Sequence, residues 1–308
     1  MDSNKFKGHA AMTGAEVLWG VSAPLGKGVL MAGVSPLLLT DCRMIGAAIL
    51  FCIISLFVKN EKVSPNDLLK MFFASLFGIV INQSCFIWGL SLTSPINASI
   101  ITTSLPILTM VLAAIVLREP ITKLKVSGVF LGAVGALILI FGGHSNESSG
   151  SPAGDILVIC AQLSFTLYLV MFKGLISKYS PITLMKWMFT YASICIIPFS
   201  YTEFTSLKLE SLSAYAIWGT LGVVVGPTFL SYLLLSLGQR NLRPTVTAMY
   251  NYLQPIVASI VAVAAGLGVF SFTTAIAILL VFSGVFLVTR SKSREDLIKE
   301  QHPSNNQS

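Results

Sequence analysis

Five charged side chains fall inside long apolar runs of this chain: Glu16, Lys27, Asp41, Arg43 and Lys186. A charge at membrane depth is costly, so each needs a partner, a wet cavity or a function. Glu16, Trp19, Ala23 and Lys27 follow one another at three- and four-residue spacing and share one face of a helix. Glu16 lies about a third of the way along its run, a depth where proton uptake and release can be coupled to conformational change. Asp41 and Arg43 are two residues apart and point in different directions, so each is expected to pair elsewhere or reach toward the interface. Lys186 reads as an anchor near a membrane surface.

Neutral polar residues form two stripes. Ser99, Thr102, Pro106 and Thr109 make one; Thr247, Asn251, Gln254 and Ala258 make another, again at three- and four-residue spacing. Each stripe contains or adjoins a proline, Pro106 or Pro255. Proline removes a backbone donor and frees a carbonyl, which membrane protein tolerates only where protein or water satisfies it. These stripes therefore predict a central polar cavity. Asn82 and Gln83 lie mid-run, Trp88 a turn or so beyond, and Tyr250 and Tyr252 flank Asn251. Amides beside aromatics suit a small polar or amphipathic organic solute better than a bare ion. The candidate substrate-binding set is Glu16, Trp19, Asn82, Gln83, Trp88, Ser99, Thr102, Pro106, Thr247, Tyr250, Asn251, Gln254 and Pro255.

The elements that must position these residues are long and apolar. The chain has 308 residues, 54% hydrophobic and 11% charged, against about 25% charged in soluble proteins. Apolar runs of about twenty residues, the length that crosses a hydrocarbon core, predict ten spans at 10–31, 36–58, 70–92, 96–117, 126–142, 154–173, 181–201, 214–237, 245–267 and 272–290. The first run is long, contains Glu16 and leads into others, so it reads as a retained helix rather than a leader. If the N-terminus is cytoplasmic, sixteen of the twenty Lys and Arg residues collect on that side, and the positive-inside rule then puts both termini in the cytoplasm of a plasma (inner) membrane protein. The segment from Ser291 onward is polar and expected to be disordered.

The net charge of +7 is not gathered into a patch or groove-reading motif, so nucleic acid is not an expected partner. The five cysteines lie in apolar runs without a CxxC pair and read as packing residues. His9, His144 and His302 are never together, which speaks against a histidine metal site. No HExxH, GxSxG, paired intramembrane aspartates or GxxxxGK[ST] loop is present, so neither catalysis, a cofactor nor direct ATP drive is expected.

Sliding the chain on itself by 149 residues pairs Gly89 with Gly238, Pro95 with Pro244, Pro106 with Pro255, Ile107 with Ile256 and Gly135 with Gly284, without a gap. Each half then holds five spans, and an odd number forces the second half to enter the membrane from the opposite side. The fold class expected is thus an all-α membrane protein of ten helices in two inverted five-helix repeats, residues 10–142 and 154–290, joined by an outer loop at 143–153 and flanked by cytoplasmic segments 1–9 and 291–308.

Leu18, Trp19 and Gly20, the block Pro95 to Thr122 with Pro106 and Leu117-Arg118-Glu119-Pro120, and Gly128, Gly132 and Gly135 resemble an EamA-type member of the drug/metabolite transporter superfamily. Glu119 departs from internal symmetry, since Gly268 stands at its counterpart. The resemblance implies a carrier that imports or exports a small organic metabolite, such as an amino acid or related compound, by alternating access of the two repeats. Protons are a candidate coupling ion, the bilayer is the obligatory partner, and the oligomeric state is left open, a monomer being compatible with the sequence. A channel or receptor, and after those an intramembrane enzyme, are the alternatives.

Overall fold

A computed structural model describes residues 3–59, 61–93, 95–142, 151–206, 212–264 and 271–292, and among these every regular element is helical. Gly268, loop residues 143–150 and the tail beyond Lys292 lie outside the described residues, as do the side chains of Ala23, Lys27, Ser99 and Ala258.

Among the described residues four helices begin at a Ser-Pro pair, because proline costs nothing at a position whose N–H would be unpaired and the serine oxygen accepts a nearby orphan N–H. Ser35 accepts from Leu38 N at 3.1 Å; Ser64 from Asp67 N, Ser151 from Ala153 N and Ser180 from Thr183 N do so at 3.3 Å. In chain order the helices are α1 (Ser3–Met31), α2 (Pro36–Ser55), α3 (Pro65–Leu92), α4 in two pieces (Pro95–Thr102 and Leu105–Val116), α5 (Lys123–Gly142), α6 (Pro152–Met171), a short turn at Lys173–Lys178, α7 (Pro181–Ser206), α8 (Ala214–Asn241), α9 in three pieces (Pro244–Met249, Tyr250–Tyr252 and Leu253–Ala264), and α10 (Phe272–Arg290).

Among the described residues, seven helices, α2, α3, α5, α6, α7, α8 and α10, are long and apolar enough to cross a membrane, and α4 carries a shorter apolar segment, Ile100–Val116. The bundle's surface is itself apolar: Phe199 is 74% exposed and Phe272 82%, while Thr109, Ser231 and Thr228 are fully buried. That inversion of the soluble pattern is what hydrocarbon solvent selects. Cys52 and Cys160 lie exposed on this surface rather than in packing.

Two expected spans, 96–117 and 245–267, are not continuous. Thr103 and Ser104 interrupt α4, and a 3₁₀ turn over Tyr250–Tyr252 interrupts α9. The cause is the missing N–H of Pro106 and Pro255, which deprives Thr102 and Asn251 of the helical partner each carbonyl would otherwise have. Both α3 and α8 contain a π-helical stretch, at Leu76–Ile81 and Val224–Leu230. In α8 this coincides with Pro227, whose absent N–H frees Val223 O for the Thr228 hydroxyl at 2.9 Å.

Helix α1 packs on α8 and α9, α6 packs on α3 and α4, α2 runs against α7, and α5 against α10. Phe51 of α2 stacks on Phe189 of α7 with centroids 5.5 Å apart. The α5–α10 contact is backbone to backbone: a Cβ on Gly284 would stand 2.5 Å from Gly128 O, and one on Gly135 2.7 Å from Ala277 O. Earlier residues of α5 thus meet later residues of α10, so the two run antiparallel. Gly128, Gly132 and Gly135 are consumed in packing within the bundle.

Candidate functional site

A cavity of about 140 Å³ opens where α1, α2, α3, α4, α6, α8 and α9 converge. Its polar wall comes from the irregular places in those helices. Asn82 and Gln83 follow directly on the π stretch of α3, and Tyr232 stands just past that of α8. Gln83 Nε2 donates to the Tyr232 hydroxyl at 3.1 Å, and Asn82 Nδ2 to Ala161 O at 3.0 Å. Thr102 ends the first piece of α4, and Asn251 sits at the centre of the 3₁₀ turn that breaks α9. The Thr102 carbonyl, freed by Pro106, accepts from Asn251 Nδ2 at 2.9 Å.

From Asn251 a polar chain runs to α1. Gln254 Nε2 donates to Asn251 Oδ1 at 2.8 Å and to Glu16 Oε2 at 2.7 Å. Glu16 is buried behind this amide, one helical turn from Trp19. The Trp19 indole donates to Pro227 O at 2.9 Å and meets the Tyr232 ring edge-on at 5.6 Å. Phe86 and Phe165 complete the aromatic side.

Of the residues singled out from the sequence, Trp19, Asn82, Gln83, Thr102, Asn251 and Gln254 line the cavity, and Glu16 adjoins it through Gln254. Pro106 and Thr247 are buried away from the lining, and Pro255 shapes α9 without reaching the lining. The side chain of Ser99 is not described. Trp88 is 57% exposed and lines a separate cleft with Thr40, Ser84 and Phe199; five residues past Gln83 on a helix of about 3.6 residues per turn, it faces away from the cavity. The 3₁₀ turn carries Tyr250 toward α1, where its hydroxyl meets His9 Nδ1 at 2.6 Å.

Arg43 is the residue that sequence reasoning placed elsewhere. Expected to pair or reach the interface, it lines the cavity instead. Its Nε donates to Thr228 Oγ1 at 2.9 Å, and no other hydrogen bond or ion pair of Arg43 forms among the described residues. The general rule that intramembrane charges mark sites was the available signal; the receiving hydroxyl, 185 residues away, was not visible.

At one end of the bundle, charged groups join the two halves of the chain. Asp67 Oδ2 accepts from Lys178 Nζ at 2.5 Å and from the Tyr179 hydroxyl at 2.8 Å. Glu61 Oε2 accepts from Ser180 N at 3.0 Å and Oγ at 2.8 Å. Burial alone would raise the Glu61 carboxyl, but the bonds from Thr183 and Ser180 outweigh it and hold it below the usual carboxylate range. Glu119 accepts from Lys125 Nζ at 2.8 Å and Thr245 Oγ1 at 3.1 Å. Lys173 closes the end of α8 by donating to Gln239 O and, at 2.7 Å, to Leu242 O; burial pushes its ammonium down to about 8, against the pull of Glu119. Among the described residues no cluster of His, Cys, Asp or Glu could hold a metal ion.

A lipid-facing helical bundle around a small polar cavity is the architecture of a multi-pass membrane protein that handles a solute. The model of the EamA-like transporter family matches residues 6–141 and again 152–290, and the chain belongs to that family. It is similar to the uncharacterized transporter YyaM of Bacillus subtilis, at 24% identity over 81% of this chain and 85% of that one, and to YetK of the same organism, at 24% identity over 94% and 88%. WALLS ARE THIN 1 of Arabidopsis thaliana is 29% identical over a shorter stretch, 38% of this chain and 31% of its own. A solved crystal structure shares the fold with a TM-score of 0.76 over 94% of this chain and 97% of its own, at 16% identity. The protein is a membrane transporter.

Proposed function

We propose that the protein is a secondary-active carrier that moves a small organic metabolite across the plasma membrane by alternating access, using two inverted five-helix repeats with both termini in the cytoplasm. One observation carries the reading: the cavity sits where equivalent positions of the two halves touch. Gln83 bonds to Tyr232, and Asn251 to Thr102; each pair is separated by 149 residues, the same offset that aligns the halves in sequence. A residue in contact with its own counterpart lies on the axis relating the two halves. Helices α5 and α10 supply independent support, since Gly128 approaches Gly284 while Gly135 approaches the Ala277 backbone. Each contact is the other with the halves exchanged, and the antiparallel crossing is what inversion demands. A site on such an axis can open to either side by rocking one half against the other.

Glu16 is the proton-coupling group in this reading, because it is the acid joined to the cavity through Gln254. The deciding experiment is counterflow in proteoliposomes loaded with labelled organic solutes. Saturable flux accelerated by unlabelled solute on the far side supports a carrier, whereas unsaturable, ohmic flux identifies a channel and overturns the proposal.

A further inference from the structure

We propose that the cargo is a small organic anion whose carboxylate is held by Arg43, so that Arg43 is the residue that selects for charge. This rests on the carrier reading and narrows it. Among the described residues Arg43 is the one charged residue lining the cavity, and no Asp or Glu among them lines it. Fixing a guanidinium at this depth is costly unless something anionic answers it, and its only hydrogen bond among the described residues is the one from Nε to Thr228.

That bond looks built for positioning. Pro227 strips Val223 O of its helical donor, the Thr228 hydroxyl donates to that carbonyl at 2.9 Å, and the same oxygen accepts from Arg43 Nε at 2.9 Å. Holding Nε fixes the plane of the fork and leaves the two terminal nitrogens for a ligand. Two parallel N–H donors match the two oxygens of a carboxylate, the geometry in which arginine binds most strongly.

The rest of the lining sets what the carboxylate is attached to. Trp19, Phe86, Phe165 and Tyr232 offer aromatic surface, while Asn82 and Gln83 supply amides; the Gln83 carbonyl oxygen is buried without a partner. An apolar cavity of ~150 Å³ accepts benzene, so this one, at about 140 Å³, takes roughly six to ten non-hydrogen atoms. An ammonium would find no carboxylate in the lining, and Glu16 is occupied by Gln254. The cavity therefore favours a simple monocarboxylate over a zwitterion.

The test uses the purified full-length chain, with binding read as ligand-dependent thermal stabilisation and by calorimetry. The probes are butyrate, benzoate and phenylacetate, each beside its neutral amide, with leucine as the zwitterion and benzylamine as the cation, all of them within the roughly six to ten non-hydrogen atoms the cavity takes. At least one carboxylate is expected to bind at least tenfold more tightly than its amide and than leucine. Arg43→Met should weaken that binding on the order of a hundredfold, the consequence of breaking a desolvated charge pair, and Arg43→Lys should retain part of it. Thr228→Val, which frees Nε without touching the charge, should weaken it less than Arg43→Met and provides a reading if Arg43→Met does not fold. Equal binding of amide and acid, no binding by any carboxylate, or tighter binding of leucine overturns the proposal. Carboxylate binding without counterflow in proteoliposomes would sustain the anion site while removing the carrier, and saturable flux of a neutral solute that carboxylates do not inhibit would do the reverse.

Discussion

Removing the Glu119 carboxylate isolates a buried cation. Lys125 is 1% exposed, and its ammonium meets Glu119 Oε2 at 2.8 Å; the same oxygen receives the Thr245 hydroxyl at 3.1 Å from the other half of the chain. Arg118, in the left-handed region at φ 54°, turns the chain so that Glu119 N closes on Ala113 O at 3.2 Å, which presents the carboxylate inward. In Glu119→Ala, Lys125 must find another partner or distort its surroundings. Breaking one side of a buried pair costs about 3–5 kcal/mol, whereas replacing both sides by apolar groups is often close to neutral. With an unfolding entropy near 2.1 cal/mol/K per residue, that cost lowers the Tm of a chain of this size by roughly 5–8 °C. The assay is thermal unfolding of purified Glu119→Ala, Lys125→Met and the double variant. The double variant should recover most of the loss, with a coupling energy of about 2 kcal/mol or more. A single-variant shift below about 1 °C, or losses that simply add, would refute the reasoning.

Other expectations follow from the same geometry. Glu16→Gln should flatten the pH dependence of transport while leaving membrane insertion intact; an unchanged pH profile removes Glu16 from the mechanism. Gly284→Ala puts a Cβ 2.5 Å from the Gly128 carbonyl, so α5 and α10 must part at a cost of about 1–3 kcal/mol, readable as a lower Tm, and Gly284→Leu should yield little folded protein. Glu61 is more acidic folded than unfolded, so its tie to Ser180 is complete above the ordinary carboxylate range and fails as pH falls through the depressed folded value. Acidification should therefore raise hydrogen exchange at the start of α7 in the native protein, and Glu61→Gln should abolish that pH dependence.

Much of this organisation is legible in local sequence. The Ser-Pro pairs announce helix starts because capping needs only neighbours, and Pro106 and Pro255 announce breaks because a missing donor affects only the residue four back. The offset of 149 is legible for the same reason, being carried by prolines and glycines whose backbone roles tolerate little substitution. What is not legible depends on partners far along the chain. Arg43 reads as a snorkelling residue until α8 brings Thr228 against it, and Trp88 reads as a site residue until the direction of α3 is known. The 3₁₀ turn follows from Pro255, but that it brings Tyr250 rather than Asn251 against His9 is likewise a tertiary outcome, since nothing in the local pattern distinguishes the two residues.

The two halves touch at equivalent positions but do not carry equivalent chemistry. Matching the helix starts Ser35-Pro36 and Ser180-Pro181 sets Arg43 against Met188, and the offset of 149 sets Glu16 against Phe165. Under the inverted-repeat reading the two access states interchange the roles of the halves, and they would be equal in energy only if the halves were chemically identical. A guanidinium and a carboxylate on one side of that exchange break the degeneracy. The empty carrier then rests with a built-in preference for one face of the membrane, and neutralising either charge should move that resting bias even where the cargo is never bound.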